Sequence, residues 1–440
     1  MTTDAQGLAL TGANVEAAAL YDQAVRAFNL GYGDAIGDFD RALEAAPRCV
    51  MAHLGKAWLF ALATDPGATV FARALAETAR DLPMNDREAA HLTALDQAIA
   101  GAQTAAADAI DRLVMTWPHD ILGHEVGFLL DLFLGRARFL RDRPARALPL
   151  WSSDLPGYAS LLAFHAFGLE ETGAYARAED LSRQAAEREP FSFWPHHTVA
   201  HVMEMQGRPE DGLGWMAARE PLWSSEAHVT QTHIWWHKAL FHVELGQYEA
   251  ALALHDGPIT ATQRPLGVSL TNASALLWRL DLLGCPLGSR WAALADLWDG
   301  HADGRCCVFT DLHAAMAELG AGRDWAVERR LGWMRATAAG SDEAASIYRE
   351  VGLPLVEGFT AFHRGDYAAA SAHLHPVLYA TQRIGGSHAQ RDIVDWTLTE
   401  AAVQGGQRDM AVALAHERLA LRPHSVVNQA FLRRAEGLKR

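Results

Sequence analysis

Apolar positions in this chain recur with the period of an amphipathic helix, and most runs of them end near a glycine or a proline. Alanine and leucine dominate while runs of β-branched residues are scarce, which favours helices over strands. We expect the first 15 residues to be frayed. Connections are predicted at 151–156, 258–272 and 300–309. The predicted helices and hairpins span 15–29, 33–46, 51–63, 87–117, 121–134, 276–299, 342–403 and 409–438.

A short motif recurs six times: a glycine, then an aromatic or polar residue, then an alanine-rich amphipathic helix that often ends at proline. Gly173 and Gly207 are 34 residues apart, which is the tetratricopeptide period, and later spacings fit it with loop insertions. Each hairpin has an apolar face that only a neighbouring hairpin covers. The prediction is an all-α, right-handed α-solenoid of degenerate tetratricopeptide-like hairpins curled around a central pocket. It is a single domain over 16–440, with core repeats over 158–257 and C-terminal repeats over 342–438.

Composition narrows the class of partner. The 440 residues carry a formal net charge of −15, which opposes phosphate backbones and anionic bilayers, so we expect no nucleic-acid and no membrane partner. No basic residue precedes the first apolar residues, so no signal peptide is predicted. Four cysteines without a CxxC pair indicate reduced thiols in a cytoplasmic protein. These cysteines are Cys49, Cys285, Cys306 and Cys307.

Two histidine pairs stand at the i, i+4 spacing that places both imidazoles on one helix face, and each pair shares its face with a glutamate. This spacing suits metal ligands, although the zincin pattern needs glutamate directly after the first histidine, where Thr198 and Ile234 stand. The alternatives are histidines hydrogen-bonded between packed helices and a metal-free pocket. The two sets are His197, His201 and Glu204, and His233, His237 and Glu244.

Other candidates come from tryptophan and from two short segments. A tryptophan beside histidine and acid, such as Trp236, is either core or the wall of a ligand site. In the segment GGSHAQRD, Ser387 and Gln390 fit a helix capping box, while Arg391 has the geometry to grip a carboxylate. In Asp311-Leu-His313, the acid either opens a helix or couples to a histidine.

Four segments together resemble the signature segments of the tetratricopeptide repeat protein 38 family in order and separation. They are HTVAHVMEMQGR (197–208), HIWWHKALFHVELGQYEAALALHD (233–256), FTDLHAAMA (309–317) and GGSHAQRD (385–392). The resemblance spans nearly the whole chain and implies a full-length helical solenoid rather than a reaction. One departure is Ser-His-Ala before Gln390, where the family has Ser-Asn-Ala, so His388 lies outside the family pattern. The matching positions are His197, His201, Glu204, His233, Trp236, His237, Asp311, His313, Gln390, Arg391 and Asp392.

Polar residues drawn from four distant segments suit a closed pocket better than an open peptide groove, because buried polar groups must be paired. The leading interpretation is a protein that binds a small polar or anionic molecule, or a short peptide end, in this pocket. The alternatives are a hydrolase or lyase, with a divalent metal or with a metal-free His–Asp general base, and a protein-interaction scaffold. No cofactor is implied beyond that metal.

The candidate residues divide by role. The candidate catalytic residues are His237, His233 and Asp311. The candidate metal ligands are His197, His201, His233 and His237. The candidate ligand-binding residues are His197, His201, Trp236, His313, Gln390, Arg391 and Asp392.

Overall fold

Helices account for most of the protein in its computed structural model, which describes residues 2–65, 67–264, 266–304 and 307–439. Within these ranges the β-structure consists of two isolated bridges, Thr3 with Ala9 and Tyr32 with His228. The expected all-α fold of stacked helical hairpins is therefore confirmed. Cys306, one of the four thiols discussed above, lies outside the described residues.

The helices follow one another with short connections. They are α1 Val15–Leu30, α2 Ala35–Ala45, α3 Val50–Ala61, α4 Ala68–Arg80, α5 Asp86–Ile99, α6 Gln103–Thr116, α7 Ile121–Phe133, α8 Ala137–Ala147, α9 Tyr158–Glu171, α10 Tyr175–Arg188, α11 Phe193–Met205, α12 Pro209–Trp223, α13 Gln231–Glu244, α14 Tyr248–Leu254, α15 Thr260–Thr262, α16 Gly267–Leu282, α17 Arg290–Leu297, α18 Val308–Gly320, α19 Asp324–Ala338, α20 Glu343–Ile347, α21 Leu353–His363, α22 Tyr367–Leu374, α23 His388–Gln404, α24 Arg408–Leu421 and α25 Val426–Glu436. In the part of the chain that the structure describes, none of them combines the length and apolarity needed to cross a bilayer.

The chain forms two compact units rather than the one continuous domain expected from the repeats. The first unit comprises Met1–Val199 and Arg219–Gln231, and the second comprises Ala200–Ala218 and Thr232–Arg440. Helices α11, α12 and α13 each contribute residues to both units, because each unit boundary falls within a helix. The histidines and acids of interest lie mostly in the second unit.

Glycines close the hairpin turns, as the repeat motif predicts. Gly173 follows α9 with a φ of 83°, and Gly207 follows α11 with a φ of 65°. A side chain is strained in this left-handed region, so the turn requires glycine. A Cβ on Gly207 would in addition lie 2.8 Å from the Cβ of His424, which shows how closely the hairpins of the second unit pack.

The first residues are packed in the first unit, which corrects the expectation of a frayed terminus. Asp4 and Leu10 are buried. Arg87 holds the segment in place, since its Nη1 lies 3.1 Å from Oδ2 of Asp4 and its Nη2 donates to the carbonyl of Ala9 at 3.0 Å. No local pattern predicts this contact, because its partners are more than 75 residues apart in sequence.

Two predicted boundaries also shift in the second unit. The helix expected over 276–299 is two helices, α16 and α17, separated by a turn in which Gly284 has a φ of 77° and Pro286 follows. Helix α16 begins nine residues earlier than expected, so Asn272 belongs to a helix rather than to a connection. This earlier start brings Asn272 to the candidate site described below.

The cysteines that the structure describes are unpaired with one another. Cys49, Cys285 and Cys307 are free thiols, and Cys49 is buried. Burial raises the pKa of Cys49 to about 11, so this thiol stays protonated and unreactive.

One buried acid in the first unit has an unusual environment. Glu125 on α7 is buried, and its Oε2 accepts a hydrogen bond from Nδ2 of Asn29 at 3.0 Å. Burial raises the pKa of Glu125 from 4.5 to about 8, although hydrogen bonds from Asn29 and Trp194 oppose this shift. Between pH 4.5 and about 8, the carboxyl group is therefore protonated in the folded protein and ionised in the unfolded chain.

We predict that Glu125→Gln stabilises the protein at alkaline pH. Because the pKa of Glu125 is higher in the folded state, the free energy of unfolding of the wild type falls as pH rises from 4.5 to about 8. Glutamine keeps an acceptor for Asn29 and does not ionise. The Glu125→Gln variant is therefore expected to be more stable than the wild type by about 1–3 kcal/mol near pH 8, and about equally stable near pH 4.5. Urea unfolding across pH measures the difference. Glu44→Gln, at an exposed position, is the control, and a pH-independent difference would contradict the assignment.

Candidate functional site

Three histidines of the second unit meet in its interior. His233 and His237 lie one turn apart on α13, and His201 comes from α11. The Nε2 atoms of His233 and His237 are 3.3 Å apart, and the ring centroids of His201 and His237 are 4.6 Å apart. One ring nitrogen of each histidine lies within 4.8 Å of those of the other two. The i, i+4 spacing thus brings the rings of His233 and His237 together, and α11 adds His201 beside them.

Neighbouring side chains fix the orientation of two of these imidazoles. Nδ1 of His233 lies 2.6 Å from Oδ1 of Asn272, whose Nδ2 donates to the carbonyl of Ser269 at 3.0 Å. The amide oxygen therefore faces the ring, so His233 donates its Nδ1–H. Nδ1 of His237 lies 3.6 Å from Oε2 of Glu204, and a carboxylate favours a proton on the facing nitrogen. In both rings the lone pair is then on Nε2.

Burial keeps the same two rings uncharged. Desolvation lowers the pKa of His233 to about 4, and its hydrogen bond to Asn272 opposes the shift. Desolvation, together with the nearby His201, holds the pKa of His237 well below the usual range. Neutral imidazole is the form that binds a metal ion or accepts a hydrogen bond. His233 remains partly exposed, whereas His201 and His237 are buried.

Trp236 forms a wall beside the histidines. Its ring stacks on His233 with the centroids 5.2 Å apart and meets His237 edge-on at 4.8 Å. The guanidinium of Arg279 lies 5.5 Å from the same indole. Nε1 of Trp236 is buried and finds no acceptor among the described residues. The ring therefore separates the imidazoles from a buried cation.

A network of arginines and carboxylates adjoins this wall. Asp392 on α23 accepts from Nη1 of Arg418 at 2.8 Å and from Nε1 of Trp396 at 2.8 Å, and it also bonds Arg422. Nη1 of Arg422 lies 3.3 Å from Oε1 of Glu204. Burial alone would raise the pKa of Asp392, but Arg418 and Arg422 outweigh it and hold the pKa well below the usual range. The predicted ligand residue Asp392 is thus an ionised partner of arginines.

A small cavity opens next to this network in the second unit. It is walled on one side by apolar side chains and on the other by charged ones. The apolar wall includes Leu240, Phe241, Val243 and Trp396, and the charged wall comprises Glu204, Glu244, Arg279, Asp392 and Arg422. Glu204 belongs both to this wall and to the surroundings of His237.

The segment GGSHAQRD begins α23 with a complete capping box. The hydroxyl of Ser387 accepts from the amide of Gln390, and Oε1 of Gln390 accepts from the amide of Ser387 at 2.9 Å. Nη1 of Arg391 donates to the carbonyl of Gly386 in the same turn. His388 faces His201, with the ring centroids 5.3 Å apart. Gln390 and Arg391 thus make helix-start contacts, while His388 approaches the histidine cluster.

Asp311 and His313 on α18 bond to other partners. Asp311 accepts from Nη1 of Arg330 at 2.6 Å, from the hydroxyl of Tyr348 at 2.6 Å and from the amide of Gly304 at 3.0 Å. His313 donates from Nδ1 to the carbonyl of Phe309 at 2.7 Å, and its buried Nε2 has no hydrogen-bond partner among the described residues. The contacts of Asp311 therefore do not include the histidine that the sequence suggests as its partner; Asn272 and Glu204 face the histidines instead.

His197 lies in the first unit, and aromatic rings surround it there. Its ring stacks on Phe193 at 4.8 Å and on Phe167 at 5.4 Å, and it meets Trp194 edge-on at 5.5 Å. Glu244, which shares the face of the second histidine pair in the sequence, instead accepts from the amide of Val426 at 2.7 Å and so caps α25.

Sequence reasoning missed Asn272 and the arginines of the second unit. Arg279 carried a signal, because it is a lone cation within the otherwise apolar run of α16. Arg418 and Arg422 are spaced i, i+4 in the last hairpin, which places them on one helix face. Asn272 has no comparable signal, because amides are frequent in connections and the sequence predicts a connection over 258–272.

The chain has low similarity to several solved structures. No family model matches the chain. Among solved structures, a tetratricopeptide repeat protein from Parabacteroides merdae ATCC 43184 is 14% identical, covers 63% of this chain and 99% of its own, and has a TM-score of 0.35. The human IFIT1 dimer with m7Gppp-AAAA is 14% identical over 96% of this chain and 94% of its own, with a TM-score of 0.45. The APC/C hetero-tetramer Cut9–Hcn1 is 13% identical, and the match covers 95% of this chain and 76% of that chain, with a TM-score of 0.41.

We predict that Asp311→Asn lowers stability without lowering the metal content of the purified protein. Arg330 is buried, and the substitution removes one of its two anionic partners, the other being Glu318 at 2.7 Å. The expected loss is about 2–4 kcal/mol in the free energy of unfolding. Urea unfolding and elemental analysis measure the two quantities. Asp409→Asn, at a fully exposed position, is the control, and loss of bound metal from folded Asp311→Asn would instead support a role at the site.

Proposed function

We propose that the second unit is a divalent-metal-dependent hydrolase that acts on a small polar or anionic molecule. His201, His233 and His237 hold the metal, and Glu204 and Asn272 orient two of these ligands. The bound metal supplies a water activated towards nucleophilic attack near neutral pH.

One observation carries this proposal: the two Nε2 lone pairs that face each other at 3.3 Å. His233 donates its Nδ1–H to Asn272, and Nδ1 of His237 faces the carboxylate of Glu204 at 3.6 Å without a hydrogen bond between them. With both protons on Nδ1, the two Nε2 atoms are acceptors, and two acceptors at this distance repel each other. A shared cation removes the repulsion. Metal–nitrogen bonds of about 2.05 Å at the tetrahedral angle place two ligand nitrogens about 3.3 Å apart.

The competing explanation is a hydrogen bond between His233 and His237. It requires His237 to carry its proton on Nε2 and to turn the Nδ1 lone pair towards the carboxylate of Glu204. That orientation sets an acceptor against an anion in a buried site, which is unfavourable. The metal-bound arrangement has no such conflict.

Burial of the polar residues supports a pocket over an open scaffold groove. His201, His237, Trp236 and Arg279 are all buried, while His233, Glu204 and His388 beside them are partly exposed. A partner's helix or tail would need these side chains at a surface. The net charge of −15 supports a small molecule over a nucleic acid or a membrane as the partner.

We also infer membership of the tetratricopeptide repeat protein 38 family and a cytoplasmic location from the sequence features above. The contacts agree with the resemblance at five of its positions, since His201, Glu204, His233, Trp236 and His237 are neighbours in the second unit.

We predict that the wild type, purified without chelator or added metal, carries about one Zn, Mn or Fe per chain. His201→Ala and His237→Ala remove ligands and are expected to lose at least nine-tenths of it, because two remaining histidines bind weakly. Elemental analysis by mass spectrometry measures the content. His416→Ala, at an exposed position on α24, is the control and keeps the metal. A wild type that takes up none of these metals would refute the proposal.

We further predict that Asn272→Leu weakens metal binding by roughly ten- to a hundredfold, because a partner that orients a ligand imidazole is lost. Asn272→Asp keeps an acceptor for Nδ1–H of His233 and is expected to bind at least as tightly as the wild type. Competition with a fluorescent zinc chelator measures both affinities. Equal affinities for the leucine variant and the wild type would contradict the tautomer assigned to His233.

A further inference from the structure

Arg279 differs from the other buried arginines of the described chain in its partners. Each of the others contacts at least one carboxylate, whereas none pairs with Arg279. The guanidinium of Arg279 donates instead to two carbonyls, those of Ala275 at 3.1 Å and Ala389 at 2.9 Å. The arginines with carboxylate partners are Arg87, Arg143, Arg330, Arg418 and Arg422.

No carboxylate bonds directly to Arg279, although Asp392 and Glu204 are near enough to favour its charge. The side chain is 2% exposed, and burial lowers its pKa to about 10. The indole rings of Trp236 and Trp396 lie 5.5 and 5.8 Å from the guanidinium and offset part of the lost hydration. Carbonyls and rings do not neutralise a full charge, so a buried cation in this position needs an anion.

A small cavity adjoins Arg279, whose side chain forms part of its wall. Three acids also line the cavity, and each already has partners. Asp392 pairs with Arg418 and Arg422, and Glu204 faces Arg422 and His237. Glu244 accepts hydrogen bonds from Ser425 and from the amide of Val426. Arg279 is therefore the cation of this wall whose charge an incoming anion would satisfy.

The walls restrict the class of anion. Each acid in the cavity repels negative charge, so a monoanion is favoured over a dianion such as a phosphate ester. A carboxylate matches the planar guanidinium with two parallel hydrogen bonds. Phe241, Leu240 and Trp396 give the opposite wall an apolar surface that suits a hydrocarbon substituent.

We propose that Arg279 binds the carboxylate of a small monocarboxylic acid whose hydrocarbon part lies against Phe241 and Trp396. This inference rests on the proposed function only in taking that carboxylate-bearing group as one part of the hydrolase's substrate, beside the ester or amide bond that is cleaved. The anion site itself requires no metal.

The test uses butyrate and its neutral isostere butyramide on full-length protein freed of metal by a chelator. Titration calorimetry is expected to detect butyrate and not butyramide. Arg279→Met should bind butyrate at least tenfold more weakly, and Arg279→Lys, which keeps the charge but not the planar fork, should lie between. Arg434→Met is the matched control with unchanged affinity, because Arg434 pairs with Glu400 away from this cavity.

Several outcomes would overturn the inference. They are no binding of butyrate by the wild type, equal binding of butyramide, tighter binding of inorganic phosphate, or undiminished binding by Arg279→Met. If Arg279→Met does not fold, the Arg279→Lys variant provides the test. Butyrate affinity equal to that of the wild type in Arg279→Lys would contradict the two parallel hydrogen bonds proposed for the guanidinium. Butyrate binding that appears only after metal is restored would assign the carboxylate to the metal and refute the role of Arg279 alone. Binding by metal-free protein that never takes up metal would support Arg279 and refute the hydrolase.

Discussion

Arg422 joins two carboxylates from distant parts of the second unit, and the geometry of the candidate site depends on this interaction. Its guanidinium bonds Asp392 on α23 and approaches Glu204 on α11 at 3.3 Å, while Glu204 lies 3.6 Å from Nδ1 of His237. Ions buried between helices are stable only when paired, because desolvating a single one costs several kcal/mol. These pairs therefore hold Glu204 where it faces His237, and they determine which nitrogen of that ring carries the proton.

The helical hairpins supply the rest of this arrangement by placing different helices side by side. Helix α13 contributes two imidazoles one turn apart, α11 contributes a third, and α16 contributes both Asn272 and Arg279. Desolvation between these helices keeps His233 and His237 neutral, so their positions are set by hydrogen bonds rather than by charge. Neutral rings with fixed tautomers resemble a prepared ligand set more than a packed core.

The proposed metal and the proposed carboxylate need opposite surroundings, and Trp236 lies between them. It stacks on His233 at 5.2 Å, and the guanidinium of Arg279 lies 5.5 Å from its ring. An aromatic ring keeps a cation at the histidines away from the positive charge of Arg279 while both remain close to one cavity. Asp392 and Glu204 stay paired with arginines, so the field around Arg279 remains favourable to one negative charge.

The sequence by itself determined the helical fold, the glycine turns, the capping box of Ser387 and Gln390, and the pairing of His233 with His237, because all of these follow from spacing along one helix or one turn. Tertiary structure alone decided what faces these residues. In the folded protein, Asn272 and Glu204 face the histidines, whereas Asp311 and Asp392 bond to other partners. The guanidinium of Arg279, and not that of Arg391, lines the cavity. Arg87 packs the first residues against the first unit. Such contacts join residues tens to hundreds of positions apart, and the free energy that selects them comes from desolvation and charge pairing in the folded interior.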